Sequence, residues 1–367
     1  MKHTECVEYT EIEDMILMHY DKYPKMEVTD YVKLIYQSEF GCGHLIENEM
    51  TEFLIKYLEN EINSFDDESE ITEIKFDDIG NGLTRINLNK NAYKIGIDNI
   101  IKAMKKTADG HNGDESIFRF RLLTLERLCL QKKIPLDITI LREYLKEYEA
   151  NGYPVVSHGE VYKNAYNPCY RVVDINFKNY LDVFILINEK MKNKNNIIIG
   201  IDGKSGSGKT FLSNYIAYFY DADIIHMDDF FLTLDMRTDD RFNEIGGNIS
   251  YERFENEVVQ NLKNKKTFTY KKYSCKDCTF YDSDEISTQK IVIIEGCYSF
   301  HKHFTLDFDI KIFLDIEFEK QLDRITKRSD EFLLDNFKNI WIPSENKYFN
   351  DWKIKENSDL VLDTTDF

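Results

Sequence analysis

A β-rich apolar run, Ile197 to Ile201, leads into Gly203-Lys204-Ser205-Gly206-Ser207-Gly208-Lys209-Thr210, and a helical pattern continues from Lys209 to Tyr220. The eight residues satisfy G-x-x-x-x-G-K-[ST] in full. This order constrains the fold strongly: a buried strand, a tight loop, and a helix whose N-terminus points back at the loop. Gly203, Gly206 and Gly208 let the backbone turn and come close to a ligand. Their N–H groups, with the helix N-terminus, form an anion nest. Lys209 reaches the β- and γ-phosphates of a nucleotide, and the Thr210 hydroxyl suits Mg²⁺. The plainer alternative is a glycine-rich turn between strand and helix. The complete motif between these two elements favours a nucleoside triphosphate site. Alone, it does not separate kinase from ATPase or GTPase.

Strand and helix signals alternate around this motif. Asp223 to Met227 reads as a second strand and Ser250 to Leu262 as a helix with Ser250 as N-cap. Ile291 to Ile294 and Ile310 to Leu314 read as strands, Glu317 to Lys327 as a helix, and Leu360 to Leu362 as a last strand. Such alternation predicts an α/β domain, a parallel sheet flanked by helices. Upstream the pattern is mainly helical, with helices expected over Thr29 to Glu39, Met50 to Ile62, Ser116 to Gln131 and Ile138 to Tyr148. Gly82 to Leu88 alternates and predicts a short strand. The polar stretch Glu189 to Asn196 marks the boundary. The expected organisation is a mainly helical domain over 1–190 and a nucleotide-binding domain over 191–367.

Composition permits this. The 367 residues are 42% hydrophobic and 31% charged, with only 5 prolines, enough for a core in each half. The formal net charge of -19 argues against nucleic acid and anionic membranes as partners, while backbone amides still capture a phosphate locally. No apolar run has the length of a membrane span, and Met1 to Thr10 lacks a secretory core, so a cytoplasmic protein is expected. Seven scattered cysteines suit reduced thiols.

Further carboxylates and cations narrow the chemistry. The second strand runs into Asp228-Asp229-Phe230-Phe231, and a carboxylate at the C-terminal end of a parallel strand faces the ligand crevice. Asp228 there can accept the proton of an acceptor hydroxyl, or simply turn the chain. Another strand ends at Glu295-Gly296, beside the loop, where a carboxylate orients Mg²⁺ or its waters. Arg324, Lys327 and Arg328 share one helix face and can close over a transferring phosphoryl group, or remain a solvated basic face.

These residues resemble the uridine kinase and phosphoribulokinase group of P-loop kinases, from about Ile197 onward. The resemblance rests on Gly203 to Thr210, Met227 to Leu232, Gly246-Gly247-Asn248 with Tyr251-Glu252-Arg253-Phe254, Glu295 to Ser299, and Trp341-Ile342-Pro343 with Glu345, Asn346, Tyr348 and Phe349. It implies ATP- and Mg²⁺-dependent transfer of the γ-phosphoryl group to a hydroxyl of a small molecule. By this resemblance Asp228 is the general base, Lys209, Arg324 and Arg328 hold phosphates, and Thr210 and Glu295 place the metal. Phe231, Tyr251 and Tyr273 fall near the acceptor. Characterised uridine kinases follow that tyrosine with an aspartate and a histidine that helps hold the base. Here Ser274-Cys275-Lys276-Asp277-Cys278 follows instead, so the resemblance carries the fold and reaction class but not uridine as acceptor. Another nucleoside, a pantothenate-like compound, a sugar or a sugar phosphate remains open, as does a nucleotide-gated binding protein without turnover.

Three signals lie outside this chemistry. Cys275 and Cys278 form a lone C-x-x-C, with His301 and His303 as distant candidates for completing a zinc site; a surface hairpin with free thiols is the expectation. Gln37 to His44 pairs Cys42 with His44 among glycines, which suits a helix C-cap at Gly41 better than a nucleophile pair. Ile79 to Leu88, with Gly80, Gly82 and Arg85, and Tyr153 to Val173, with His158, Tyr162, Tyr166, Pro168, Tyr170 and Arg171, can line a small-molecule pocket or pack an interface. No characterised family is recognised in this half.

Overall fold

The computed structural model describes residues 2–42, 51–65 and 73–367, with side chains from Glu11 onward except that of Thr51. The chain divides into two compact units, Met1–Phe184 and Ile185–Phe367.

The first unit is mainly helical, as expected, but is built on a small sheet. Helices span Lys2–Lys22, Val28–Phe40, Thr51–Asn63, Ile97–Gly110, Glu115–Leu130 and Ile138–Ala150. The expected Met50 start lies outside the described residues, as do Gly43 and His44. Strands β1 (Phe76–Asp78), β2 (Leu83–Asn87) and β3 (Tyr170–Asp174) form an antiparallel sheet with β2 in the centre. The alternation in β2 was readable. β3 sits inside an aromatic, polar segment whose side chains gave no period-2 pattern. The core joins Ile16, Tyr31, Leu34 and Ile35 to Phe118, Leu125 and Leu128. Asp114 and Asp137 cap the Glu115 and Ile138 helices through N–H groups two and three residues on.

The second unit is a parallel sheet flanked by helices. Its strands are β4 (Ile198–Gly203), β5 (Asp223–His226), β6 (Lys271–Ser274), β7 (Thr279–Asp282), β8 (Val292–Glu295), β9 (Ile310–Asp315) and β10 (Leu360–Asp363). Five of them lie in the order β10-β9-β4-β8-β5, every neighbour parallel. β6 and β7 form a separate antiparallel hairpin. β4 and β8, flanked on both sides, are almost wholly buried, which is why they read as continuous apolar runs. One side of the core gathers Ile225, Phe230, Phe254, Val258, Ile294 and Phe313.

Two local expectations need correction. The helix expected over Ser250 to Leu262 begins at Tyr251 and contains a π-turn at Glu255–Val259 before ending at Lys263. Ser250 is not a side-chain cap: its buried hydroxyl has no partner among the described residues, while its N–H donates to Phe230 O at 2.6 Å. The second strand stops at His226, and Met227–Phe230 is a 3-10 turn. Asp228 and Asp229 therefore stand on a turn just past the strand.

Candidate functional site

The C-terminal ends of β4, β5 and β8 point to the same edge of the sheet, as parallel pairing requires. β4 delivers the glycine loop. At Gly203, φ is +142° and an added Cβ would lie 2.2 Å from Leu314 O, so only glycine lets the chain leave the strand here. The Gly203 N–H donates to Asp202 Oδ1 at 2.7 Å. Asp202 is fully buried and also accepts from Tyr348 OH (2.7 Å) and Phe300 N (3.2 Å). Burial pushes its carboxyl up to about 6, against those hydrogen bonds and the charge of Lys209. It braces the loop from beneath.

Around the loop, side chains of other elements bind its outer groups. Lys204 is committed to the end of β9, pairing with Asp315 (2.6 Å) and donating to Ile316 O (2.9 Å); only its backbone belongs to the cradle. Glu345, on the helix Ile342–Trp352, accepts from Ser205 N (3.0 Å) and from the Ser205 hydroxyl. Burial raises the Glu345 carboxyl, opposed by Lys209 and Ser205. Gln321 donates to Ser205 O (2.9 Å).

The loop interior is left to a ligand. The N–H groups of Gly206, Gly208, Lys209 and Thr210 have no acceptor among the described residues, and the buried Ser207 hydroxyl has no partner there either. Lys209 Nζ rests against Gly203 O (2.8 Å) and Lys204 O (3.0 Å), across the mouth of the loop. Four amide donors, a buried hydroxyl and an ammonium form a site of high positive potential, which suits a polyphosphate.

Three oxygen-bearing side chains stand beside it. Thr210 Oγ1 donates to Glu295 Oε1 at 3.0 Å. Glu295 is 4% exposed and the same oxygen is 2.6 Å from His226 Nδ1. That contact raises the His226 pKa, burial opposing it. Asp228 follows two residues later. Its carboxylate is open to solvent but recessed among protein groups, and it takes no hydrogen bond from the described residues. The recess raises its pKa, Lys209 opposing and Glu295 reinforcing. Asp229 is differently employed, accepting from Tyr270 OH at 2.7 Å.

The remaining candidates separate. Arg324 is committed to backbone carbonyls: Thr364 O (2.6 Å), Phe367 O (3.1 Å) and Gly206 O (3.4 Å). It ties the loop to the chain after β10. Arg328 is exposed, 5.8 Å from the Phe337 ring. Phe231 follows the Asp228 turn and bridges to Ile249. Tyr251 is clamped, with Arg241 3.6 Å over its ring, His303 stacked at 4.2 Å and its hydroxyl on Glu244. Tyr273 is buried in the β6–β7 hairpin against Phe280. Cys275 and Cys278 lie at the hairpin tip, and Arg237 reaches Cys275 Sγ at 3.6 Å.

A cavity of about 380 Å³ lies on the Gly246-Gly247-Asn248 side, lined by Asn248, Tyr298, Trp341, Ser344 and Lys347 among others. Its walls are tied to the site. Leu232 N donates to Asn248 O (3.3 Å), Tyr298 follows Glu295 by three residues, and Ser344 and Lys347 flank Glu345. His226, Glu345, Tyr298 and Lys347 were not singled out from sequence as site residues. The Trp341-Ile342-Pro343 string was the available signal for this last wall.

Residues 198–330 match the family model described as Phosphoribulokinase / Uridine kinase family. That match lies wholly within the C-terminal unit. Among solved structures, a possible uridine kinase from Bacillus stearothermophilus is 19% identical, covers 51% of this chain and 100% of its own, and gives a TM-score of 0.40. A candidate fructose transport system kinase from Silicibacter sp. TM1040 is 18% identical, covers 48% of this chain and 95% of its own, with a TM-score of 0.36. No curated protein matches the chain. Among the described residues no helix is long and apolar enough to cross a membrane.

Proposed function

We propose that the C-terminal unit is a small-molecule kinase that uses ATP and Mg²⁺ and transfers the γ-phosphoryl group to an acceptor hydroxyl. The observation that carries this reading is the juxtaposition of Thr210 and Glu295 at the head of the loop helix with an unbonded, raised-pKa carboxyl at Asp228. A nucleotide-binding module without turnover has no use for such a base.

The residues fit the groups the reaction needs. The amides of Gly206, Gly208, Lys209 and Thr210 receive the phosphates, and Lys209 swings from its loop carbonyls onto the β- and γ-phosphate oxygens. Two hard oxygen donors, Thr210 Oγ1 and Glu295, suit Mg²⁺, which binds through few protein ligands plus phosphates. When bound, the metal neutralises charge on the phosphate chain. Asp228 accepts the hydroxyl proton as the phosphoryl group leaves ATP. Its raised pKa strengthens it as a base. Arg324 holds the loop in shape, and Arg328 supplies the exposed cation that neutralises the transferring group.

The acceptor occupies the cavity beside Asn248, Tyr298, Trp341 and Lys347. Its mixed aromatic and polar lining suits a ring-bearing or sugar-like alcohol. Phe231 bridges to Ile249, the residue after the cavity-lining Asn248. Tyr251 shapes the wall through Arg241, and Tyr273 supports the hairpin from within. The test is ADP release with a panel of nucleosides, sugars, sugar phosphates and pantothenate-like alcohols, using Lys209→Ala as control. Acceptor-dependent ADP release that vanishes in Lys209→Ala is expected. Tight ATP binding with no acceptor-dependent release across the panel would overturn the reading in favour of a nucleotide-gated module.

A further inference from the structure

The N-terminal unit holds a second cavity, of about 110 Å³, independent of the phosphate loop. Tyr23, Tyr162, Tyr166 and Tyr170 line it, with Arg85 and Asp77 as its charged groups. Arg85 stands in the middle of β2 and is only 2% exposed. Its guanidinium donates through Nε and one terminal nitrogen to a single neutral acceptor, Gln37 Oε1, at 3.0 and 2.8 Å. It lies 4.5 Å from the Tyr170 ring centre and pairs with no carboxylate among the described residues. A buried guanidinium without a paired carboxylate is costly, and a bound anion can supply that charge to its planar fork.

Asp77 stands opposite Arg85 across the β1–β2 pairing but makes no ion pair with it among the described residues. That carboxylate already takes Lys22, Tyr23 OH (2.8 Å) and Asn87 Nδ2 (2.9 Å). Burial opposes its charge, but these hydrogen bonds prevail and hold its pKa below the usual range. The field of Arg85 is felt nearby: it follows burial as the next cause lowering Lys33 to about 8, with Asp30 opposing, and His19 to about 4, with Asp77 opposing.

The guanidinium is also fixed from behind. His158 Nδ1 is 2.7 Å from Asp30 Oδ1 and its Nε2 is 2.6 Å from Tyr170 OH. Burial lowers the His158 pKa, the hydrogen bond to Asp30 opposing it. With its one N–H donated to Asp30, Nε2 is an acceptor and takes the single Tyr170 proton. The same hydroxyl also lies 3.3 Å from Gln37 Oε1, which accepts from Arg85 as well. The Nε edge of the guanidinium is thereby occupied, and its two-nitrogen end remains for bidentate recognition.

We propose that this cavity binds a small carboxylate, received by the end of the Arg85 fork, with its body among Tyr23, Tyr162 and Tyr170. A planar monoanion matches the fork, and the ionised Asp77 in the same cavity disfavours a phosphate dianion.

The test is calorimetric titration and thermal shift of the full chain with benzoate and acetate, and with benzamide as the uncharged isostere of benzoate. Saturable benzoate or acetate binding with benzamide inert is expected. It should weaken by about tenfold or more in Arg85→Gln. Asn167 lines the same cavity, is exposed and has a left-handed φ of 42°, a conformation aspartate tolerates. Asn167→Asp should weaken binding several-fold by repulsion with the core intact, so the test stands even if Arg85→Gln fails to fold. No saturable binding of either carboxylate, equal binding of benzamide, or undiminished binding in both variants would overturn the proposal.

Discussion

Thr210 and Glu295, eighty-five positions apart in sequence, meet at 3.0 Å where the loop helix begins, because β4 and β8 are parallel neighbours that end at the same level. This contact joins the glycine loop to the carboxylate proposed to orient Mg²⁺. Glu295→Gln keeps the hydrogen bond to Thr210 but removes the charge. The Mg²⁺ concentration for half-maximal turnover should rise about 10- to 100-fold, while binding of metal-free ATP changes little. A magnesium titration of the rate checks this.

His226 gives the same site a pH dependence. Its pKa is raised mainly by Glu295, so it is protonated below its unfolded value of 6.5 and sheds the proton as pH climbs through the higher folded value. Stability from the pair is therefore fully present below pH 6.5 and is lost above it. Mg²⁺ competes with that cation, so metal affinity should rise with pH across the same window. His226→Gln should flatten the affinity profile measured by titration at fixed ionic strength.

Asp202 makes an opposite statement about acid. Its folded pKa of about 6 exceeds the unfolded 3.8, so the folded state holds the proton more tightly. Stability from this group is greatest below the unfolded value and declines as pH rises to about 6, by about 3 kcal/mol in all. The difference between wild type and Asp202→Asn in urea denaturation should shrink by that amount from acid to pH 7. A flat difference would contradict the assignment.

Gly203→Ala tests the loop as structure. The added Cβ would sit 2.2 Å from Leu314 O with φ at +142°. A loss of about 3 kcal/mol or more in unfolding free energy is expected. Lys209→Ala should leave unfolding almost unchanged, since Lys209 touches only loop carbonyls.

The loop, the parallel sheet and the position of Glu295 were legible in sequence because each is a local pattern: a glycine spacing, an apolar run, a carboxylate closing a strand. What escaped depends on distant contacts. Arg324 and Arg328 were expected on one helix face, but that helix ends at Thr326 and leaves Arg328 on the turn beyond it, while Thr364 and Phe367 engage Arg324. Glu345 belongs to a helix more than a hundred residues past Ser205, and no spacing reveals their bond. Tyr273 was aligned with an acceptor contact, yet hairpin register turns it onto Phe280. In the N-terminal unit Arg85 and the tyrosines were visible as a composition, but the isolated charge appeared only once β2 and β3 paired.

The most direct test compares wild type with Asp228→Asn in a single-turnover assay of phosphoryl transfer from ATP to the acceptor found in the panel, with ATP affinity measured in parallel. Unchanged ATP affinity with transfer slowed about 10²- to 10⁴-fold is the predicted result. Transfer at the wild-type rate in Asp228→Asn would contradict it.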